Sequence, residues 1–366
     1  MILHSLATRG FRNLIDAQHQ FHPRANLLVG DNGQGKTNFL EAIYFLATTK
    51  SFRTTTVRSL LRIGQERVFA RGAAREDSIE KQASVGIDAG DERRRELLVN
   101  GQKVSFQQYI STLNVLAYSS ARLEILRGGP EERRRFLDRG IASVHPAYLQ
   151  DLSRYQRAVK QRNALLQKIA SGSAASELRT WDEEVVVAAR PILEARENYA
   201  AEIAKTFKEV VQKHRYHIDS LEIEYKPNGF AARHSIEEDL ATLRRLRARE
   251  TALGYTLAGP HRDNLEFRWE GSSASEILSS GEIKTVVLFL KLAKIELFRA
   301  RFDRPPIFLL DDIDAELDLG IIQRLLAYLL ETTQLFTTSA KVSVFRLLDV
   351  GEHAEFAVMN GTLRNA

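Results

Sequence analysis

An α/β fold whose main sheet is assembled from both ends of the chain, with a helical arm inserted between, is predicted by three observations. Near the start, Gly30-Asp31-Asn32-Gly33-Gln34-Gly35-Lys36-Thr37 fits the spacing G-x-x-x-x-G-K-[ST]. Near the end, the apolar run Pro306-Ile307-Phe308-Leu309-Leu310 stops on two acids, Asp311 and Asp312. Between them, apolar residues recur three and four apart over two long stretches, as on the buried face of helices.

The first element is a short buried strand, Ala25-Asn26-Leu27-Leu28-Val29, and the residues from Asn38 read as a helix start. Strand, glycine-rich turn and helix form a phosphate site, because small residues let backbone N–H groups crowd an anion at a helix N-terminus. Gly30, Asp31, Asn32, Gly33, Gln34, Gly35, Lys36 and Thr37 are the expected nucleotide-binding residues. Lys36 would reach the β- and γ-phosphates and the Thr37 hydroxyl would ligate Mg²⁺.

The arm follows. Tyr148, Leu152, Tyr155, Val159, Leu166 and Ile169 form a stripe interrupted where Arg162 falls on it. Ser171 to Ser176 read as a tight loop, and Leu178, Trp181, Val185, Ala188, Ile192, Ala195 and Tyr199 resume the stripe. Two helices with a short connection are antiparallel neighbours. The second, running to about His214, would span ~57 Å, with a kink expected at Pro191. Leu221 to Tyr225 alternate like a strand, and Ser235 to Arg249 read as another helix.

Leu278-Ser279-Ser280-Gly281-Glu282 precedes an apolar helical stretch from Thr285 to Phe298. Its serine and glycine serve either as a simple N-cap or as a second anion site, with Ser279 and Gly281 facing a phosphate. The strand ending at Asp311 and Asp312 would deliver carboxylates where ligands sit in open α/β sheets, Asp311 to the metal shell and Asp312 to the attacking water. Ala315-Glu316-Leu317-Asp318 begins the next helix, and Gln334 to Ser339 read as a last strand ending in hydroxyls. The expected domains are residues 1–110 and 251–366 as two parts of one head, with 111–250 as the helical insertion.

Composition narrows the function. The 366 residues include no cysteine, which excludes disulfides and thiolate metal sites. No apolar run approaches the ~20 residues of a spanning helix, and the start lacks a signal-peptide pattern, so a cytoplasmic protein without membrane partners is expected. A net charge of +5 favours a polyanionic partner. Arginines cluster at 53, 58 and 62, at 93 to 95, at 133 to 135, and at 244, 245, 247 and 249. Each cluster reads either as phosphate contacts or as an ion-paired, solvated face, since Glu131, Glu132, Asp91 and Glu92 adjoin two of them.

The order of phosphate loop, long insertion, serine-glycine segment, acid strand and final strand is similar to that of ABC-type ATPases, and to their SMC-like branch that acts on DNA. Further segments narrow this: Arg9-Gly10-Phe11-Arg12-Asn13-Leu14, Lys50-Ser51-Phe52-Arg53-Thr54, Gly129-Pro130 through Asp138, and Gly259-Pro260-His261-Arg262-Asp263-Asn264. With them the chain resembles the RecF family over essentially its full length. The resemblance implies an ABC-type head with a short antiparallel coiled-coil arm, and ATP and Mg²⁺ as cofactors. It implies a homodimer closing on ATP, in which Lys36 and Thr37 of one subunit and Ser279 of the other share each nucleotide. It also implies binding to double-stranded and gapped DNA, RecR- and RecO-type partners, weak DNA-dependent ATP hydrolysis, and work in recombinational repair and replication at the nucleoid.

The chain departs from that pattern in places. Tyr118-Ser119-Ser120-Ala121-Arg122 lacks the proline and acids of the family's loop there, and Glu282 replaces a glutamine. Asn264 stands where a second aspartate is common, Asp312 is shorter than the glutamate of transporters, and Thr337 or Thr338 takes the place of a histidine. Two alternatives stay open: an SMC-like ATPase of a defence or overcoming-lysogenisation system, and an ATP-binding DNA clamp with negligible turnover.

Overall fold

A computed structural model describes the chain except residues 55, 77, 120–123, 171–176, 219, 313–318, 342–350 and 366. The chain divides into two compact units, Met1–Arg122 with Lys284–Ala366, and Leu123–Ile283. The first unit opens with β1 (Ile2–Arg9), β2 (Ala17–Gln20), β3 (Ala25–Val29), α1 (Lys36–Thr48), β4 (Arg67–Glu76), β5 (Ile79–Asp88), β6 (Asp91–Val99), β7 (Gln102–Lys103), α2 (Phe106–Ile110) and β8 (Val115–Ser119). The second holds α3 (Glu124–Arg127), α4 (Pro130–Val144), α5 (Tyr148–Ala170), α6 (Leu178–Lys213), β9 (Leu221–Lys226), α7 (Ile236–Leu253), β10 (Asn264–Trp269), β11 (Ser272–Ser273) and α8 (Ala274–Ile277). Helix α9 (Ser280–Phe302) leads back to the first unit, which closes with β12 (Ile307–Asp311), α10 (Leu319–Thr332), β13 (Gln334–Ser339), β14 (His353–Met359) and β15 (Thr362–Asn365).

In the first unit one sheet has the order β15-β14-β3-β13-β12-β8. Every neighbour in it is parallel except the terminal hairpin β14–β15. All residues of β3, β12 and β13 are buried, and β12 accordingly reads as a continuous apolar run up to its acid rather than an alternation. The strand from the chain's end, β13, lies between β3 and β12, so the sheet is indeed assembled from both ends. A second sheet, antiparallel, has the order β2-β1-β4-β5-β6-β7. Helix α1 packs against strands of both sheets, and Phe39, Leu40, Ile43, Phe45 and Leu46 place its apolar surface in a core shared with Leu3, Leu6, Val85 and Phe336.

The expected boundaries at 110 and 250 both fall short of the observed ones. Strand β8 pairs in register with β12, Val115 opposite Ile307 and Ser119 opposite Asp311, which keeps residues 115–119 in the first unit. Strand β10 pairs with β9 and with β11, which holds the chain beyond 250 in the second unit.

The arm hairpin is α5 against α6, and α6 continues through Pro191. The expected loop at 171–176 lies outside the described residues. Arg162, which interrupts the stripe of α5, is fully buried. It donates to Asp182 at 2.8 Å, to Glu250 at 2.6 Å and to Thr256 at 2.8 Å, while Arg247 holds the other oxygen of Asp182. One arginine thus ties α5 to α6 and α7. A second tie is Arg196 of α6, which bonds Asp138 at 2.9 Å, Asp263 at 3.2 Å and the Pro260 carbonyl at 2.5 Å. Tyr148 also donates to Asp138 at 2.6 Å. Burial pushes the Asp263 carboxyl up, while the hydrogen bond from Tyr225 and the charge of Arg196 pull it back down. The segments 129–138 and 259–264 therefore serve the packing of this unit. His261, whose imidazole burial lowers to about 4, stays neutral there beside Tyr155.

Substituting Arg162→Met leaves Glu250 buried without its cation, so unfolding free energy should fall by about 3–5 kcal/mol. Denaturant titration checks this against Arg154→Met, whose exposed pair with Glu184 should move the midpoint little. Equal midpoints for the two variants would contradict the assignment.

Candidate functional site: the carboxyl edge of the parallel sheet

The parallel register fixes the site. Leu310 of β12 faces Thr337 of β13, and Thr338 faces Leu28 of β3, so three adjacent strands end at one level. There β3 turns into the glycine loop. A Cβ at Gly30 would lie 2.4 Å from the Val358 carbonyl oxygen, so the loop leaves the sheet where only glycine fits. Gly35, at φ +112, is the residue before α1, and a Cβ there would stand 3.0 Å from Asn13 Oδ1. Lys36 Nζ donates to the carbonyl oxygens of Gly30 at 2.6 Å and Asp31 at 3.0 Å. The ammonium is folded back on its own loop, which spares it a bare charge and poises it at the anion position.

Beside it, Thr37 Oγ1 donates to Asp311 Oδ1 at 2.8 Å. Thr338 Oγ1 donates to the same oxygen at 2.9 Å and accepts from the Asp312 N–H at 2.7 Å. Ser119 Oγ donates weakly to Asp311 Oδ2 at 3.4 Å. These bonds decide between the two threonines. Thr338 meets both acids, whereas Thr337 Oγ1 is buried without a partner among the described residues. Asp312 takes a left-handed conformation, φ +57, which turns the chain sharply at the end of the strand. Burial pushes the Asp311 carboxyl above its ordinary value, the bonds from Thr37 and Thr338 hold it down, and the neighbouring Asp312 adds to the rise. A hydroxyl and a buried carboxylate converging on one point offer the hard oxygen donors that a small divalent cation takes, next to a loop built for phosphate.

Residues outside the loop motif brace this loop. Glu41 of α1, fully buried, takes a two-pronged bond from Arg12 and one from Ser51. Arg53 approaches Glu41 at 3.8 Å and donates to Asn38 Oδ1 at 2.8 Å. Asn38 donates in turn to Asn13, whose amide reaches the Gly33 carbonyl at 3.3 Å. From the far end of the chain, the Asn360 N–H bonds Gln34 Oε1 at 2.7 Å and the Gly361 N–H bonds the Gln34 carbonyl at 2.9 Å. The available signal was a glutamate inside Asn38-Phe39-Leu40-Glu41-Ala42-Ile43, where its neighbours are core residues. Asp31, Asn32 and Gly33 are exposed at the loop's crest.

In the second unit, Ser279 is used as an N-cap. Its Oγ donates to Glu282 Oε2 at 2.7 Å and accepts from the Glu282 N–H at 3.3 Å, and its own N–H reaches that carboxylate at 2.8 Å. This is a capping box at the start of α9, and it holds the Glu282 carboxyl below its ordinary range. Gly281, one residue into the helix, is exposed, with nothing near the position of a Cβ. Asn264 is engaged by Arg133 at 2.8 Å. Of the divergent loop only Tyr118 and Ser119 are described, burial pushing the tyrosine up to about 12, and the expected helix start at 315–318 also lies outside the described residues.

Comparison with known proteins agrees with this geometry. The family model described as RecF/RecN/SMC N terminal domain matches residues 2–356. The DNA replication and repair protein RecF of Alkaliphilus oremlandii is 31% identical, over 99% of this chain and 100% of the relative. That of Geobacter metallireducens is 33% identical over 99% of each. The chain belongs to the RecF family. A solved structure described as the recombination mediator protein RecF-ATP in the RecFOR pathway has a TM-score of 0.90 at 28% identity, covering 100% of this chain and 97% of that one. The Smc head bound to the C-winged helix domain of ScpA, 14% identical with a TM-score of 0.54 over 100% of this chain and 97% of that one, shares the fold. Among the described residues no helix is long and apolar enough to cross a membrane.

Because the folded Asp311 carboxyl holds its proton more tightly than an unfolded aspartate, its ionisation costs stability. That cost sets in as pH rises above 3.8 and is complete above the raised folded value. In the ligand-free protein, Asp311→Asn should therefore raise the unfolding midpoint at neutral pH, and the gain should vanish at the acid end. A variant that melts lower than the native chain at neutral pH would refute the burial cost.

Proposed function

We propose that this chain is an ATP-dependent DNA clamp of recombinational repair and replication restart, which dimerises on ATP and acts with RecO- and RecR-type mediators at gapped or junction DNA. The observation that supports it most is the convergence of Lys36, Thr37, Asp311, Asp312 and Thr338 at the ends of three neighbouring strands. Lys36 and the N–H groups of the loop bind the phosphates. Thr37 and Asp311 supply two oxygens to Mg²⁺, whose charge offsets that on the phosphate oxygens. Thr338 keeps Asp311 aimed and fixes the backbone of Asp312, the carboxylate that orients water or takes its proton. Ser279 of a second subunit completes each site in the closed dimer. A ligand held between subunits favours the dimer by its differential affinity, so ATP binding and clamp closure are one equilibrium. Turnover is slow and rises with DNA, which makes hydrolysis a release step.

A second reading, a clamp that binds ATP with negligible turnover, draws on one observation: the hydroxyl and the N–H of Ser279 are both taken by Glu282.

Two experiments test these readings. Solution mass measured with ATP·Mg²⁺, with ADP and without nucleotide should show a dimer with ATP alone, and Ser279→Arg should abolish it while monomer nucleotide binding persists. Normal dimerisation of that variant would sink the shared site. Steady-state phosphate release should fall at least tenfold in Asp312→Asn; equal rates in both proteins would favour the clamp without turnover.

A further inference from the structure

The structure sorts the arginines that the sequence grouped together. Most of them reach acceptors within the protein: Arg53 to Asn38, Arg58 to the Ala89 carbonyl, Arg62 to Asp16 and Arg95 to Thr49. Arg133 bonds Asn264, Arg134 the Asp263 carbonyl, and Arg135 both Glu131 and Glu132. Such guanidiniums are engaged in holding the fold.

Helix α7 is different, because its two sides do different things. Leu243, Arg247 and Glu250 share one side, where Leu243 and Glu250 are fully buried, Arg247 pairs with Asp182 and Glu250 with Arg162. Arg244, Arg245 and Arg249 project from the other, exposed, and none forms an ion pair among the described residues. The acids of α7 lie toward its ends, and the stretch from Arg244 to Arg249 carries no carboxylate of its own. Glu237, Glu238 and Asp239 lie in the first turn, where Glu238 completes the cap on Ser235 and Asp239 meets Arg190 and His234, and Glu250 is buried. Past the helix, exposed Arg262 lies over the half-exposed ring of Tyr255, 5.1 Å from its centre.

We infer that the outer face of α7, carried by Arg244, Arg245 and Arg249, is a contact surface for the phosphate backbone of duplex DNA. This rests on the DNA-clamp reading above and names the surface through which the clamp holds its DNA. Holding three unpaired guanidiniums together on one face costs repulsion that a polyanion relieves. Arg245 and Arg249 stand one turn apart, ~6 Å along the helix axis, close to two nucleotide steps of ~3.4 Å on one strand. Guanidinium forks match phosphate oxygens in pairs, so the surface reads backbone and not sequence. An acidic protein partner would want a desolvated apolar centre, and this flank presents separate side chains of Leu253 and Tyr255 instead.

The test is a fluorescence-anisotropy titration of the full chain with a labelled duplex and ATP·Mg²⁺, across about 50 to 200 mM salt. The triple variant Arg244→Ala, Arg245→Ala, Arg249→Ala should bind more than tenfold more weakly, with a log-log salt slope shallower by about 2 to 3. The corresponding triple lysine variant should keep most of the slope, and Arg135→Ala, which loses an internal pair, should leave it unchanged. Melting temperature and DNA-free phosphate release should match the native chain in the triple alanine variant. Native affinity and slope in that variant overturn the inference while leaving the clamp reading standing. Failure of the native chain to bind duplex under any nucleotide condition overturns the clamp reading, and the inference with it.

Discussion

The register of three parallel strands is the constraint on which the rest of this molecule depends. β3, β13 and β12 come from opposite ends of the sequence, and only if Thr338 lies opposite Leu28 while Leu310 lies opposite Thr337 do the glycine loop, the two acids and the threonine end at one level. A one-residue slip would turn every side chain of a strand to the other face. Burial on both faces makes such a slip expensive, since β3, β12 and β13 leave no residue exposed. Burial on both faces, legible in the sequence chiefly in the apolar run of β12, is thus also what pins the site. The hairpin of β14 and β15 adds two bonds to Gln34 of the loop.

Buried charge does the remaining positioning. Glu41 in the first unit, and Arg162 and Arg196 in the second, each join elements distant in sequence through several hydrogen bonds. Such clusters return little net stability, because desolvation offsets most of the attraction. Their value lies in specificity. A mispaired arrangement leaves an ion buried alone, which costs far more than the cluster gains. In a chain without cysteine these ties do the fixing that a covalent bridge does elsewhere.

How much the sequence disclosed follows from the same physics. The phosphate loop, the acid strand, the strand Gln334–Ser339 and both arm helices were legible because each has a period or a spacing set by its own backbone, but that strand is not the last, since β14 and β15 follow it. Arg162 was legible only as a break in the stripe of α5, since its partners lie on α6 and α7, far away in sequence. The antiparallel sheet of β4, β5 and β6 went unread. In β5 the first four positions are accessible and the next five buried, which leaves no alternation, and the alternation of β4 buries mostly small residues, Val68, Ala70, Gly72 and Ala74. The bracing role of Asn13, Asn38 and Glu41 is a property of three-dimensional neighbours, and short family-like segments marked its position without indicating its purpose. The arginine clusters were an unsorted signal for the opposite reason. Sequence groups residues by proximity along the chain, whereas a helix sends Arg247 inward and Arg245 and Arg249 outward.

The capping box at α9 shows why one ground state supports two readings of the nucleotide site. A helix N-terminus attracts an anion, and here the chain supplies its own: Glu282 completes the hydrogen bonding of Ser279 within the same turn. A capping bond of this kind is worth about 1 kcal/mol, and Glu282 itself is exposed. A phosphate carries more charge and more acceptor oxygens than one carboxylate, and arrives with the binding energy of the rest of the nucleotide behind it. Exchange at Ser279 is therefore cheap when a whole nucleotide is presented by a partner subunit, and unfavourable for an isolated anion. The cap keeps the lone subunit's helix end satisfied, and on the proposed shared site it would make engagement of that serine conditional on the dimer.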